Sequence, residues 1–92
     1  MGSAFCVKYR LYTERKNEEK VMAMAKEFLP GFTVTFGRGM WQGQEEDCMV
    51  LEFADFNGGF RNAFFALAER IKVLNEQEMV MVTEEEVRLT FA

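Results

Sequence analysis

Two alternating stretches, Phe32–Phe36 and Cys48–Phe53, do most to limit what this chain can fold into. Phe32, Val34 and Phe36 alternate with Thr33 and Thr35, and Met49, Leu51 and Phe53 alternate with Cys48, Val50 and Glu52. A period of two in apolar and β-branched residues marks a strand with one face buried. Two such strands in succession predict an antiparallel hairpin. Its connection, Gly37–Asp47, reads as a long loop holding Gly37, Gly39, Gly43, the chain's only Trp (Trp41) and the acids Glu45, Glu46 and Asp47.

The flanks mirror each other. Ala4–Thr13 places Phe5, Val7, Tyr9 and Leu11 on one face of a strand and Cys6, Lys8, Arg10 and Tyr12 on the other. Asn17 supplies a helix cap, and Glu18 and Glu19 suit the positive end of a helix. Val21, Met24, Ala25 and Phe28 then fall on one helical face, which Pro30-Gly31 ends. After the hairpin, Asn57-Gly58-Gly59 breaks the chain. Phe60, Phe64, Leu67, Ile71 and Leu74 form a continuous helical stripe, with Ala63, Ala66 and Ala68 narrowing the helix and Asn75 at its end. Met79–Thr83 reads as a fourth strand. Glu84-Glu85-Glu86 interrupts it, since adjacent like charges suit a turn, and Val87, Leu89 and Phe91 form a short terminal strand or a bent continuation.

The order β-α-β-β-α-β predicts an α+β, ferredoxin-like sandwich. It has a four-stranded antiparallel sheet in the order 4-1-3-2, two helices on one face, and the short terminal strand. The helix side should carry Phe5, Val7, Tyr9, Leu11, Val34, Phe36, Leu51 and Phe53. The open side should carry Cys6, Lys8, Arg10, Tyr12, Thr33, Thr35, Cys48, Val50 and Glu52. Glu52 is expected near Cys6 and Lys8, and Cys48 near Arg10 and Tyr12. The cysteines then sit too far apart for a disulfide.

The chain of 92 residues reads as one domain over 1–92. At 49% hydrophobic with 10 Phe and 7 Met, it holds more apolar area than so small a body can hide. A homodimer through the open sheet face follows as an expectation. A net charge of −4 argues against nucleic acid, which needs a basic footprint. No apolar run approaches a membrane span, and no secretory signal opens the chain. Cys6 stands where a myristoylation motif needs Ser or Thr. Two cysteines without a signal fit free thiols and a cytoplasmic setting.

The chemical motifs are few. Gly37–Gly43 is not a phosphate loop, because it joins two strands and precedes no helix. Glu45-Glu46-Asp47 and Glu84–Glu86 are runs of adjacent carboxylates that diverge, and the chain has 0 His to complete a metal or acid–base site. No catalytic residue, metal or cofactor is therefore expected. Trp41 either packs back onto the sheet or a helix, or stands out with Arg38 and Gln42 as an anchor for a protein partner. Arg10 and Tyr12 complete the candidate binding residues on the open face. The alternative is a small ligand-binding or cofactor-independent enzyme, with a pocket formed by Trp41, Asn57 or Asn62, and Arg10.

Phe32, Val34, Gly37, Gly39, Trp41, Gly43, Glu45, Gln77, Val80 and Val82 form a pattern, FTV…GxGxWxG…E followed by a closing Gln-then-Val strand. It resembles a group of small phage- and prophage-type proteins with no established chemistry. Met40 stands where that group carries an aromatic residue. The resemblance implies a small α+β fold in the cytoplasm and an accessory protein that binds a host or phage protein, as an antagonist of a defence system would, with a structural part of a phage assembly as the alternative.

Overall fold

The computed structural model describes residues 2–92. The elements are β1 (Gly2–Glu14), α1 (Glu18–Phe28), β2 (Thr33–Trp41), β3 (Gln44–Asp55), α2 (Arg61–Leu74) and β4 (Met81–Phe91). They form one antiparallel sheet in the order β2-β3-β1-β4 with both helices packed on one face, a ferredoxin-like βαββαβ arrangement. The order and the two helices match the expectation from sequence.

The core lies between the central strands and the helices. Tyr9, Leu11, Met49, Leu51 and Phe53 from the sheet meet Val21 and Ala25 of α1 and Phe64, Leu67, Ala68 and Ile71 of α2. Tyr9 stacks on Phe64 with centroids 5.2 Å apart, and Phe53 meets Phe60 edge-on at 5.2 Å. Phe5 and Phe36, both expected on this buried side, are exposed instead. Length explains it. The helices, of 11 and 14 residues, are about 17 and 21 Å long. The 13-residue β1 spans about 43 Å, so the strands overrun their cover.

The Gly37–Asp47 loop proves to be strand. β2 and β3 stay paired out to Trp41↔Gln44, and only Gln42 and Gly43 turn the chain. Both have positive φ, 49° and 78°, the left-handed pair whose twist matches that of the flanking strands. Gly37 and Gly39 lie extended in the ladder, so only Gly43 is needed for its backbone freedom. The result is a projecting two-stranded arm.

The acidic run Glu84–Glu86 does not break β4, which continues as one strand to Phe91. The pleat sends Glu84 and Glu86 to one face and Glu85 to the other. Glu85 accepts a bond from Arg10 Nη1 at 2.7 Å, and Glu84 is held by Arg61 at 3.2 Å. The β1–β3 register also differs from the expectation. Glu52 stands opposite Arg10, and Cys48 opposite Glu14 rather than near Arg10 and Tyr12. Cys6 and Cys48 are both free. They lie eight β1 positions apart, about 26 Å.

Asn17 does not cap α1. It adopts a left-handed backbone, and its Nδ2 donates to Asn75 Oδ1 at 2.9 Å. Fully buried Asn75 in turn donates from Nδ2 to Thr13 Oγ1 at 3.0 Å, and Thr13 donates to Gln77 Oε1. This polar chain fastens the end of α2 to the end of β1.

Candidate functional site

Two surfaces hold the residues singled out from sequence, and the fold keeps them apart. Arg38, Trp41 and Gln42 lie on the arm, whereas Arg10 and Tyr12 lie on the open sheet face. Tyr12 aligns through Val50 with Thr35. Thr35 and Trp41 are six positions apart on β2, about 20 Å.

The arm carries apolar surface into solvent. Met40 is 63% and Trp41 62% exposed, so the ring does not pack back on the sheet or a helix. Arg38 is tethered only by a surface contact between its Nη1 and Glu45 Oε2 at 3.7 Å, an arrangement contributing about 0–1 kcal/mol. Gln42 occupies the turn itself. β2 bears no acid, while the facing end of β3 bears Glu45, Glu46 and Asp47, so the two edges of the arm differ in charge.

At the centre of the open face Arg10 bridges two strands. Its Nε donates to Glu52 Oε1 at 2.8 Å and its Nη1 to Glu85. The bond to Glu85, then that to Glu52, raises the Arg10 pKa against an opposing desolvation effect. Lys8 Nζ lies 3.7 Å from Glu52 Oε2, the cross-strand pair expected from sequence, but Arg10 is the closer partner. These charges neutralise one another. Apolar surface gathers instead toward β4, where exposed Met81 and Phe91 share the face with Val87 and Leu89, and Phe56 lies 6.0 Å from Phe91.

The pocket suggested by Trp41, Asn57 or Asn62, and Arg10 does not form from one chain. Arg10 is on the open face, Trp41 on the arm, Asn57 in the turn before α2 and Asn62 on the exposed first turn of α2. A cleft of about 590 Å³ lies elsewhere, between α1 and β2, lined by Met22, Ala23, Val34 and Phe36 with Glu18, Glu19 and Lys26 at its rim. Arg15 covers the Phe36 ring at 4.1 Å. A smaller hollow of about 210 Å³ lies between α2 and β4.

Sequence reasoning missed these two grooves and the role of Glu85. One signal for Glu85 was available: it falls in phase with Thr83 and Val87 along an unbroken alternation. Among the described residues no cluster of three or more His, Cys, Asp or Glu could hold a metal ion, and no helix is long and apolar enough to cross a membrane.

No protein-family model and no curated protein matches the chain. Solved structures do. A phage SAM lyase in complex with S-methyl-5′-thioadenosine is similar with a TM-score of 0.65 at 19% identity, over 94% of this chain and 90% of that one. A nitrogen regulatory PII-like protein from Thiomonas intermedia, bound to ADP, AMP and bicarbonate, is similar with a TM-score of 0.66 at 12% identity, over 99% of both chains. A PII-like signalling protein from Thermus thermophilus has a TM-score of 0.63 at 19% identity, over 97% of this chain and 92% of that one. At such identities the likeness establishes the fold: this chain has the ferredoxin-like architecture shared by small phage and signalling proteins.

Proposed function

We propose that the chain is a small cytoplasmic interaction module of phage or prophage type that engages a host or phage protein through its β2–β3 arm. The observation carrying this reading is the exposure of Trp41 and Met40 at the end of a regular, self-supporting hairpin. A large aromatic ring in water contributes little to folding, whereas Trp and Arg are the side chains that most often dominate a protein interface. A two-residue turn and a continuous ladder hold the anchor stiffly, which lowers the ordering cost of binding. The apolar strip along β4 gives a second contact surface, suited to another copy of the chain. The test is affinity capture from a bacterial lysate with wild type beside Trp41→Ala. Proteins retained by wild type and lost by the variant support the reading; equal retention, or none by either, refutes it.

A second reading has its own support. The phage SAM lyase holds S-methyl-5′-thioadenosine and the PII-like protein holds ADP and AMP, so two kinds of protein with this architecture carry adenosine-containing molecules. Here such a molecule would need walls from a second copy, since the α1–β2 cleft is open to solvent. Calorimetric titration with S-methyl-5′-thioadenosine, AMP and ADP, together with incubation with SAM to detect any thioether formed, decides it. Saturable heat or turnover supports a ligand site, and flat titrations without turnover exclude it.

A further inference from the structure

Of the two outer strands of the sheet, only β2 offers an unprotected edge. A free edge presents N–H and C=O groups to any other strand, and proteins blunt it with proline, lysine or inward-pointing charge. β4 is blunted: Glu84 and Glu86, opposite Tyr9 and Val7, project on its helix side. β2 holds neither proline nor lysine, and its first charge, Arg38, lies beyond the stretch Thr33–Gly37. The pair Trp41↔Gln44 closes a two-residue turn, so Trp41 and every second residue before it bond to β3. Val34 and Phe36 therefore turn their N–H and C=O groups outward.

The helix side of this edge is an apolar groove with opposite charges at its ends. Met22 and Ala23 of α1 line it with Val34 and Phe36 of β2, and Glu19 and Lys26 stand at the rim. Arg15 pairs with Glu18 and lies over the Phe36 ring. The start of α1 is thus at the Phe36 end of the groove, and Lys26 is at the Val34 end. Phe36 is 49% exposed. Neither Glu19 nor Lys26 makes an ion pair among the described residues.

One two-fold axis satisfies strand and helix together. Placed at Thr35, it sets Val34 against the partner's Phe36 and Phe36 against the partner's Val34. Each pair exchanges both backbone bonds and is of the aromatic and β-branched kind that stabilises a sheet. Exposed Thr35 meets the partner's Thr35 on the open face. The same rotation reverses α1. Glu19, at the Phe36 end, then comes to the partner's Lys26, at the Val34 end, and Met22 and Ala23, midway between those charges, meet their own counterparts. Parallel strands would instead set acid against acid and lysine against lysine, so charge selects the antiparallel arrangement.

We propose that two copies of this chain associate about this axis, joining their sheets edge to edge through β2 and closing the two α1–β2 grooves on each other. The contact is isologous, each copy giving and receiving the same bonds, so it closes at a dimer. It is independent of the arm's proposed partner and of the β4 strip. Trp41, about 20 Å along β2 from the axis, lies outside it.

Sedimentation velocity across a concentration series tests it, with circular dichroism to confirm that each variant folds. Wild type should sediment as a dimer. Thr35→Lys sets two cations face to face at the axis, while in a single copy the new side chain stays in water, and should weaken association by about tenfold or more. Glu19→Lys and Lys26→Glu should each weaken it by about fivefold, and the double variant should recover it. Trp41→Ala and Phe91→Ser should dimerise as wild type does. A wild type that stays monomeric throughout, an undiminished dimer in Thr35→Lys, a double variant no better than the singles, or a dimer lost in Phe91→Ser each overturn the proposal. The Trp41 capture result stands whichever way this falls.

Discussion

Replacing Trp41 with alanine sets the exposed reading of the arm against a packed one. In the structure the ring is 62% exposed and belongs to no part of the core. Substitutions away from core, caps and networks usually change stability by no more than about 0.5 kcal/mol. Phe64 gives the scale for a packed aromatic. It is fully buried, stacks on Tyr9 at 5.2 Å and lies among α2 core residues, so Phe64→Ala should cost about 3–5 kcal/mol. For a domain this size 1 kcal/mol moves Tm by about 4–8 °C. Trp41→Ala should therefore shift Tm by less than about 4 °C, and Phe64→Ala should lower it by about 12 °C or more, as followed by far-ultraviolet circular dichroism at high dilution. As the only Trp, Trp41 also reports its own surroundings. Its emission should be that of a solvated indole and change little on unfolding. A loss of about 2 kcal/mol or more in Trp41→Ala, or a blue-shifted native emission, would refute the exposed placement.

Three further outcomes follow. Gln42→Asn should stabilise the arm by about 0.5 kcal/mol in chemical denaturation, because Asn-Gly suits two left-handed turn residues better than Gln-Gly does. Asn75→Ala should cost about 1–3 kcal/mol by urea unfolding, since it removes the bonds to Thr13 and Asn17 from a fully buried site. Burial, then Asp55 and Glu84, raises the Tyr9 pKa above its ordinary value of 10.0. Its neutral form is thus favoured in the folded state: the contribution is complete below that ordinary value and lost as pH rises through the folded pKa. Tyr9→Phe should flatten the decline in stability above pH 10.0, measured as Tm against pH.

Fold was more legible than surface, for physical reasons. Alternation and helical stripes report which face of an element is apolar, so the six-element order, the buried Leu11, Leu51 and Phe53, and the Phe64–Leu67–Ile71 stripe could be read directly. Periodicity does not report how far a neighbouring element reaches, which is why Phe5 and Phe36 were expected inside. The arm was read as a loop because glycine at 37, 39 and 43 resembles loop composition, yet only Gly43 turns the chain. Glu84–Glu86 looked like a break because its counter-charges, Arg10 and Arg61, are distant in sequence and come close only through the sheet and α2. Asn17 had the right identity for a cap but met a stronger partner in Asn75. Of the candidate binding residues, sequence identified side chains suited to recognition; only the fold revealed that they divide between two places about 20 Å apart.

The overrun of the strands past their helices also divides the molecule by evolutionary freedom. Where the helices cover the sheet, a change at Leu51 or Met49 disturbs every neighbour at once, and close packing tolerates little. Beyond that cover, Arg38, Met40 and Trp41 answer only to the ladder and the turn. New side chains can be tried there at almost no cost to folding, so the surface of the arm can diversify while the core that makes the scaffold foldable stays unchanged.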